Sequence, residues 1–550
     1  MTSPSAVLSV FLFACCAVAP TGASPQVPAR DTKVARGGTA VVKGRVTGGD
    51  TRAPLRRARV ALSAPSLERT LYASTDAQGR YEFTDVPAGR YTIKASRSPY
   101  VALEFGQLRA FQAGKPVDVK DGDVLDKIDF VLPRGAVVAG AVVDDAGESL
   151  AGVVVTAYRS EFSEGKRKLV AVGRGAETND LGQYRLYGLQ PGSYFIGTQP
   201  MPGGDGYAFA PCYYPGTFST AEAQRVILGI GQERAGVNFA QALGRLARLS
   251  GTVIDASGVP LTSAMVALVN PSTGSMFNTP VKPDGTFLVS NVAPGEYVLA
   301  ATLRDQASGE LQMAGLAVTV LGEDMTGLVL PLHGGSHVIG RLVMEDGSNP
   351  PFRPSGLRVE PIPLSGDVPI IIRNPGMQGI VNDDFTFEMK SLGGRIIFRT
   401  SRLPDGYMVK AVQVDGRDTT DTPLELRGRE EVRGLQVVLT ARATQVSGSV
   451  TDAAGRPAID YSVIVFAEDA ARWTYPSRFL ATARPDQQGH YRVANLPAGR
   501  YLAVALAYVE EGQSEDPDYL ESLRPFATKF TLGEGDRKTL DLTIPKTPGT

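Results

Sequence analysis

Three histidines and three cysteines are all that 550 residues offer for metal or thiol chemistry. His333-Gly-Gly-Ser-His337 spaces two histidines by four, but the stretch is glycine-rich and has no glutamate between them to act as a base. It therefore lacks the helical histidine pair of a zinc hydrolase. His490 stands in a turn, and Cys212 has no repeated histidine companion to draw off its proton. No Gly-x-Ser-x-Gly sequence occurs in a strand–turn–helix setting. Carboxylates are plentiful, but they recur at turn positions, where aspartate has a backbone role. The expectation is no catalytic centre, no metal site and no cofactor.

Binding chemistry is better represented. Tyr207-Ala-Phe209-Ala-Pro-Cys212-Tyr213-Tyr214-Pro-Gly-Thr-Phe218 gathers five aromatic rings among turn residues. Arg472-Trp473-Thr-Tyr475 carries the one tryptophan of the chain. Rings on loops of a rigid scaffold can stack on sugar faces or grip a partner, with arginine adding donors. The candidate ligand-binding residues are therefore Tyr207, Phe209, Tyr213, Tyr214, Arg472, Trp473 and Tyr475. The competing reading is that these rings fill a sheet end or a joint between domains. Glu510, Glu511, Glu515, Asp516, Asp518 and Glu521 read as solvated surface, and the basic run Arg52, Arg56, Arg57 and Arg59 reads as an exposed loop and strand face, with contact to an envelope anion as the lesser alternative.

The elements that must position these residues come from internal repetition. Asp76-Ala-Gln-Gly79-Arg-Tyr81-Glu-Phe83 is followed by Val86-Pro87-Ala-Gly89-Arg-Tyr91. The pattern returns from Asp180-Leu-Gly182-Gln-Tyr184 to Tyr194, from Asp284-Gly285-Thr-Phe287 to Tyr297, and from Asp486-Gln-Gln-Gly489-His-Tyr491 to Tyr501. A drifted copy runs from Asn382 to Arg395, with Asp383 in the place of the first glycine and Arg395 in that of the last tyrosine. Each unit opens on an apolar stretch holding Gly44, Gly140, Gly251, Gly340 or Gly448, at intervals of 96, 111, 89 and 108 residues. Period-two alternation marks half-buried strands, and Asp-Gly and Pro-Gly steps mark turns.

The fold class is all-β: about five transthyretin-like or immunoglobulin-like sandwiches in tandem after a signal peptide. The expected domains are 40–134, 135–244 with the aromatic insertion, 245–333, a degenerate 334–441, and 442–550. Short links predict a semi-rigid row reaching on the order of 170 Å if fully extended. Short helices are expected at Asp516–Leu520 and Thr220–Arg225.

An apolar run from Ala6 to Pro20 closing on Thr21-Gly22-Ala23 has the shape of a secretory signal, residues 1–23, with a linker over 24–39. A second reading of the same run cleaves before Cys15 and acylates it. No later segment is long and apolar enough to span a bilayer as a helix. Lys and Arg number 56 against 57 Asp and Glu, a net charge of −1 that excludes a general nucleic-acid binder.

The pattern Asp-x-x-Gly-x-Tyr-x-Phe followed by Val-x-Pro-x-Gly-x-Tyr resembles the carboxypeptidase regulatory-like domain, a seven-stranded transthyretin-like sandwich. The resemblance covers about residues 40–545 and implies a carbohydrate-binding-like, non-catalytic fold. The expected role is an exported scaffold or binding protein of the envelope or extracellular space. The alternatives are a polysaccharide-binding array using the aromatic loops, and an accessory subunit of an envelope transporter or protease. The expected partner is a polysaccharide or another envelope protein.

Overall fold

The computed structural model describes residues 38–545, except 66, 68, 205–206, 219, 221, 271–275, 305–310, 355 and 365–376. The signal and linker readings over residues 1–37 lie outside the described residues. The repeat folds into five β-sandwiches, and strand register explains its motif. In the first, the opening strand Ala40–Gly48 pairs antiparallel with Arg80–Val86 and parallel with Val124–Leu125 and Phe130–Leu132. Ala136–Val143, Ala247–Ile254, Ser336–Met344 and Gln445–Thr451 hold the same central place in their own sheets. The facing sheet is a hairpin plus the strand after the Pro-Gly turn, as in Arg59–Ser63, Leu71–Ser74 and Gly89–Ser96.

The opening glycine lies directly across from the first aromatic of the motif in every sandwich: Gly44 from Tyr81, Gly140 from Tyr184, Gly251 from Phe287, Gly340 from Phe387 and Gly448 from Tyr491. A β-carbon at Gly44, Gly140, Gly251 or Gly448 would sit 2.0, 2.0, 1.9 or 2.2 Å from the carbonyl oxygen of Ile128, Val237, Leu328 or Leu540. Only glycine lets the last segment of the sandwich cross so closely. The tyrosines then tie it down: Tyr81, Tyr184 and Tyr491 donate to the carbonyls of Ile128, Val237 and Leu540 at 2.6, 2.7 and 2.5 Å. The second tyrosine closes its own turn. Tyr91, Tyr194 and Tyr501 donate to the carbonyl four residues earlier, Pro87, Gln190 and Pro497, at 2.7, 2.6 and 2.7 Å.

Four local readings are corrected by the register. The side chain that organises the second turn is Asn179, accepting from the N–H groups of Leu181 and Gln183, and not Asp180. In the fourth sandwich Phe385, with φ +65°, occupies the glycine place instead of Asp383, because its N–H bonds the Asn382 carbonyl as Gly79 bonds that of Asp76. Ile396, buried, replaces the last tyrosine instead of the exposed Arg395, since Gly394 pairs with Leu426 as Gly89 pairs with Val119. Thr220–Arg225 is turn and coil among its described residues, whereas Pro517–Leu523 is helical with Asp516 as its cap.

One repeated feature escaped the sequence pattern. Asp85, Gly188, Asn291, Ser391 and Asn495 all take left-handed backbone, at φ 56, 78, 62, 62 and 66°. In the first four sandwiches a register shift stands beside them, so each marks a bulge that bends the strand before the Pro-Gly turn. Glycine, asparagine and aspartate tolerate that conformation best.

Each sandwich has its own apolar core, yet two cores borrow from a neighbour. Phe111, in the loop between Leu103–Glu104 and Val117–Val119 of the first sandwich, is buried among residues of the second. Leu311, from the third, belongs to the core of the fourth, and its N–H donates to Ser391 Oγ at 2.8 Å. The sandwiches do not form an open row: the fifth touches the fourth and also returns to the first and second, as the joint below shows.

Candidate functional site: aromatic loops and the fifth-sandwich joint

The aromatic insertion of the second sandwich is itself a small sheet. Tyr207–Phe209 pairs with Met201–Gly204 on one side and with Leu243–Arg245 on the other. Gln241, wholly buried, donates its amide to the carbonyls of Gln199, Phe209 and Ala210, stitching the insertion to the chain that leaves the sandwich. Phe209 and Tyr214 are half-buried against the core, and Tyr214 meets Phe239 at 6.4 Å between ring centres. Tyr213 meets Tyr158 edge-on at 6.1 Å, and burial pushes its phenol up to about 12. Gly197 makes room for that ring, because a β-carbon there would come within 2.8 Å of it. Cys212 is buried, hydrogen-bonded to Thr198, with its thiol pushed up by desolvation. Tyr207 is 46% exposed and Phe218 61% exposed.

Trp473 is not the open platform that its loop suggested. It ends a short 3₁₀ turn capped by Asp469, is 4% exposed, and packs edge-on against Phe466 at 5.5 Å. Its indole N–H donates to the Ala467 carbonyl at 2.8 Å, and the Arg524 guanidinium covers the ring at 5.2 Å. A buried indole with its one donor satisfied is a core residue. Arg472 is exposed and lies over Phe479 at 4.5 Å. Tyr475 is half-buried with its β-carbon facing Gly165, at the tip of the second sandwich's hairpin. Burial, and secondarily Glu164 and Glu515, push its phenol up.

That hairpin, Val154–Ser163 with Lys166–Glu177, has strands of 10 and 12 residues against 5 and 4 in the matching hairpin of the first sandwich. The extra length reaches the fifth sandwich, where Arg167 pairs with Asp516 and Arg159 with Glu510 at 3.1 Å. Phe111 sits at the centre of this joint, in left-handed backbone at φ +56°. Arg159 lies 3.4 Å above its ring, Tyr194 meets it edge-on at 6.2 Å, and Gln190 accepts its N–H at 3.0 Å. From the fifth sandwich, the Glu511 N–H donates to the Phe111 carbonyl at 2.9 Å and the Tyr508 hydroxyl to that of Ala110 at 2.6 Å. Three sandwiches therefore meet on one phenylalanine.

A second contact joins first and fifth directly. Arg484, buried, donates to the carbonyls of Gly106 and Tyr461 at 3.1 and 2.9 Å and pairs with Asp460 at 2.7 Å, while Lys115 donates to Ile459. The fourth and fifth are held by Arg478 on Asp421, at 2.9 and 2.8 Å, and by Arg399 on the Pro476 carbonyl at 2.9 Å. Glu345, Lys410, Arg442 and Glu534 add a charge network at the same joint.

These residues were missed because a joint has no internal period. The signals available were departures from the repeat: the loop around Phe111, the lengthened hairpin, and the insertion carrying Tyr508 to Asp516. The acidic group read as solvated surface is partly consumed here, through the carboxylates of Glu510 and Asp516. His337 lies in a strand with Nε2 2.6 Å from Glu388 Oε1. Among the described residues no three His, Cys, Asp or Glu side chains converge as a metal-binding group. No helix among them is long and apolar enough to cross a membrane.

The family model of the carboxypeptidase regulatory-like domain matches residues 41–133 and 248–322, the first and third repeats. Comparison with curated proteins gives no match. Among solved structures the chain is similar to a streptococcal ancillary pilin at 14% identity, covering 53% of this chain and 99% of that one, with a TM-score of 0.20. It is similar to the minor pilin GBS52 of Streptococcus agalactiae at 17% identity, covering 36% and 95%, with a TM-score of 0.22. The TIE protein of Bacillus anthracis aligns at 12% identity over 74% of both chains, with a TM-score of 0.16. At such scores no function is carried across.

Proposed function

We propose that this chain is an exported, non-catalytic scaffold of the cell envelope or extracellular space, built to hold several surfaces in fixed relation. The observation that carries the reading is how the repeated polar residues are used. The tyrosine hydroxyls tie strand ends, and the aspartates and asparagines at the turns accept backbone N–H groups. The motif is thus spent on holding sandwiches together, and the departures from it are spent on joining one sandwich to another. The test is twofold. The mature protein recovered from outside the cytoplasm is expected to begin at Ser24, and to show no hydrolysis of peptide or ester substrates. Turnover abolished by one side-chain change would overturn the reading, as would a protein retained inside with residues 1–23 intact.

A polysaccharide-binding role for the second sandwich is the other reading, favoured by the exposure of Tyr207 and Phe218 on its insertion. Tyr207→Ala is then expected to weaken binding to the polymer by about 1–3 kcal/mol, the scale of losing an aromatic anchor. Affinity electrophoresis through polysaccharide gels reads that difference.

A further inference from the structure

The outer face of the first sandwich carries a cationic strip that, among the described residues, none of the joints uses and no ion pair engages. Its sheet order is Leu71–Ser74, Arg59–Ser63, Gly89–Ser96, with Leu103–Glu104 beyond. Arg59 lies between Ser74 and Ser96, and Ala61 between Tyr72 and Lys94. Alternation puts Arg59, Tyr72 and Lys94 on the solvent side, opposite the buried Val60, Leu62, Ile93 and Ala95. Arg97 follows the central strand and donates to the Arg56 carbonyl at 3.0 Å, which brings Arg56 and Arg57 to the same end. All five cations are exposed, and none is ion-paired among the described residues. The carboxylate across from Lys94, Glu104, is half-buried and accepts the Gly114 N–H at 2.9 Å.

We infer that this face binds an extended acidic polysaccharide. Charge complementarity selects an anion, since clustered like charges without an ion pair among the described residues raise the local potential and attract it. The strip crosses strands about 4.8 Å apart on an open sheet surface, which suits a chain laid over it more than a small ion. Guanidinium groups offer paired donors for carboxylates. Tyr72, 57% exposed with Arg59 stacked 3.9 Å from its ring centre, supplies the one aromatic surface. It is the sole large apolar side chain on the strip, so the face has nothing to insert into a lipid surface. With one ring, already covered on one side, it offers no series of stacking platforms for nucleic-acid bases.

The test uses the purified full chain and polygalacturonate, with dextran, polyphosphate and phosphatidylglycerol vesicles as comparisons. Polygalacturonate is expected to bind and to be released by salt. Arg56→Gln/Arg59→Gln/Lys94→Gln is expected to weaken it at least roughly tenfold with the thermal midpoint unchanged. The matched control Arg234→Gln/Arg417→Gln/Arg492→Gln, on other sandwiches, is expected to bind as the parent does. Lys94→Glu alone, a single exposed change, is expected to weaken binding and covers the case in which the triple variant fails to fold. Four results would each overturn the inference: no binding, binding undiminished in the face variants, equal loss in the control, or binding confined to polyphosphate or vesicles.

Discussion

At the scale of single residues, the motif is a set of steric and hydrogen-bonding obligations. Gly140→Ala would drive a methyl group to 2.0 Å from the Val237 carbonyl. Overpacking of that kind costs about 3 kcal/mol or more, and chemical denaturation should show the second sandwich failing first. Tyr184→Phe should cost less, about 1–3 kcal/mol, because it leaves the Val237 carbonyl unpartnered without a clash. A larger loss in Tyr184→Phe than in Gly140→Ala would contradict this ordering. Cys212 belongs here too: burial raises its thiol and Thr198 holds it. A thiol reagent should therefore leave it untouched in the native protein and label it only on unfolding. The glycines, tyrosines and turn aspartates were legible in the sequence because they recur at fixed spacing. Their partners were not, since nothing in Ile128 or Val237 says that its carbonyl faces a glycine.

At the scale of elements, the departures from the repeat carry the architecture. The aromatic loops read from the sequence are real insertions, but their rings are largely turned inward. Composition shows where aromatics gather, whereas side-chain direction depends on what packs behind them. Trp473→Ala should accordingly destabilise the fifth sandwich by about 3–5 kcal/mol, the cost of emptying a large buried site. Thermal unfolding reads it, and a variant as stable as the parent would mean an exposed ring. The lengthened hairpin of the second sandwich makes a different demand. Arg159 touches Phe111 of the first and Glu510 of the fifth at once, so the losses of Phe111→Ala and Glu510→Ala measured singly should add to more than the loss of the double variant. Additive losses would mean that the three sandwiches meet without coupling.

At the scale of the whole molecule, the sequence led to five sandwiches and to the wrong arrangement of them. Short links argued for a row, and links constrain neighbours only. Contacts between residues nearly 400 positions apart, such as Tyr508 with Ala110, bring the last sandwich back to the first. The joint between the fourth and fifth sandwiches gives this arrangement a pH dependence. Glu345 is held at about 2 by side-chain bonds from Lys410, Arg442 and Thr440. Its folded value lies below the ordinary glutamate value of about 4.3. Its contribution is therefore complete above about 4.3 and is lost as pH falls through about 2. Acid unfolding of Glu345→Gln should show a shallower loss across that window than the parent, and identical profiles would contradict the assignment. The most direct test of closure is small-angle scattering from monomeric residues 38–550. The expected largest dimension is well short of the roughly 170 Å of an extended row. A value near that length, or one unchanged when Phe111 and Arg484 are both replaced by alanine, would contradict the return of the fifth sandwich to the first.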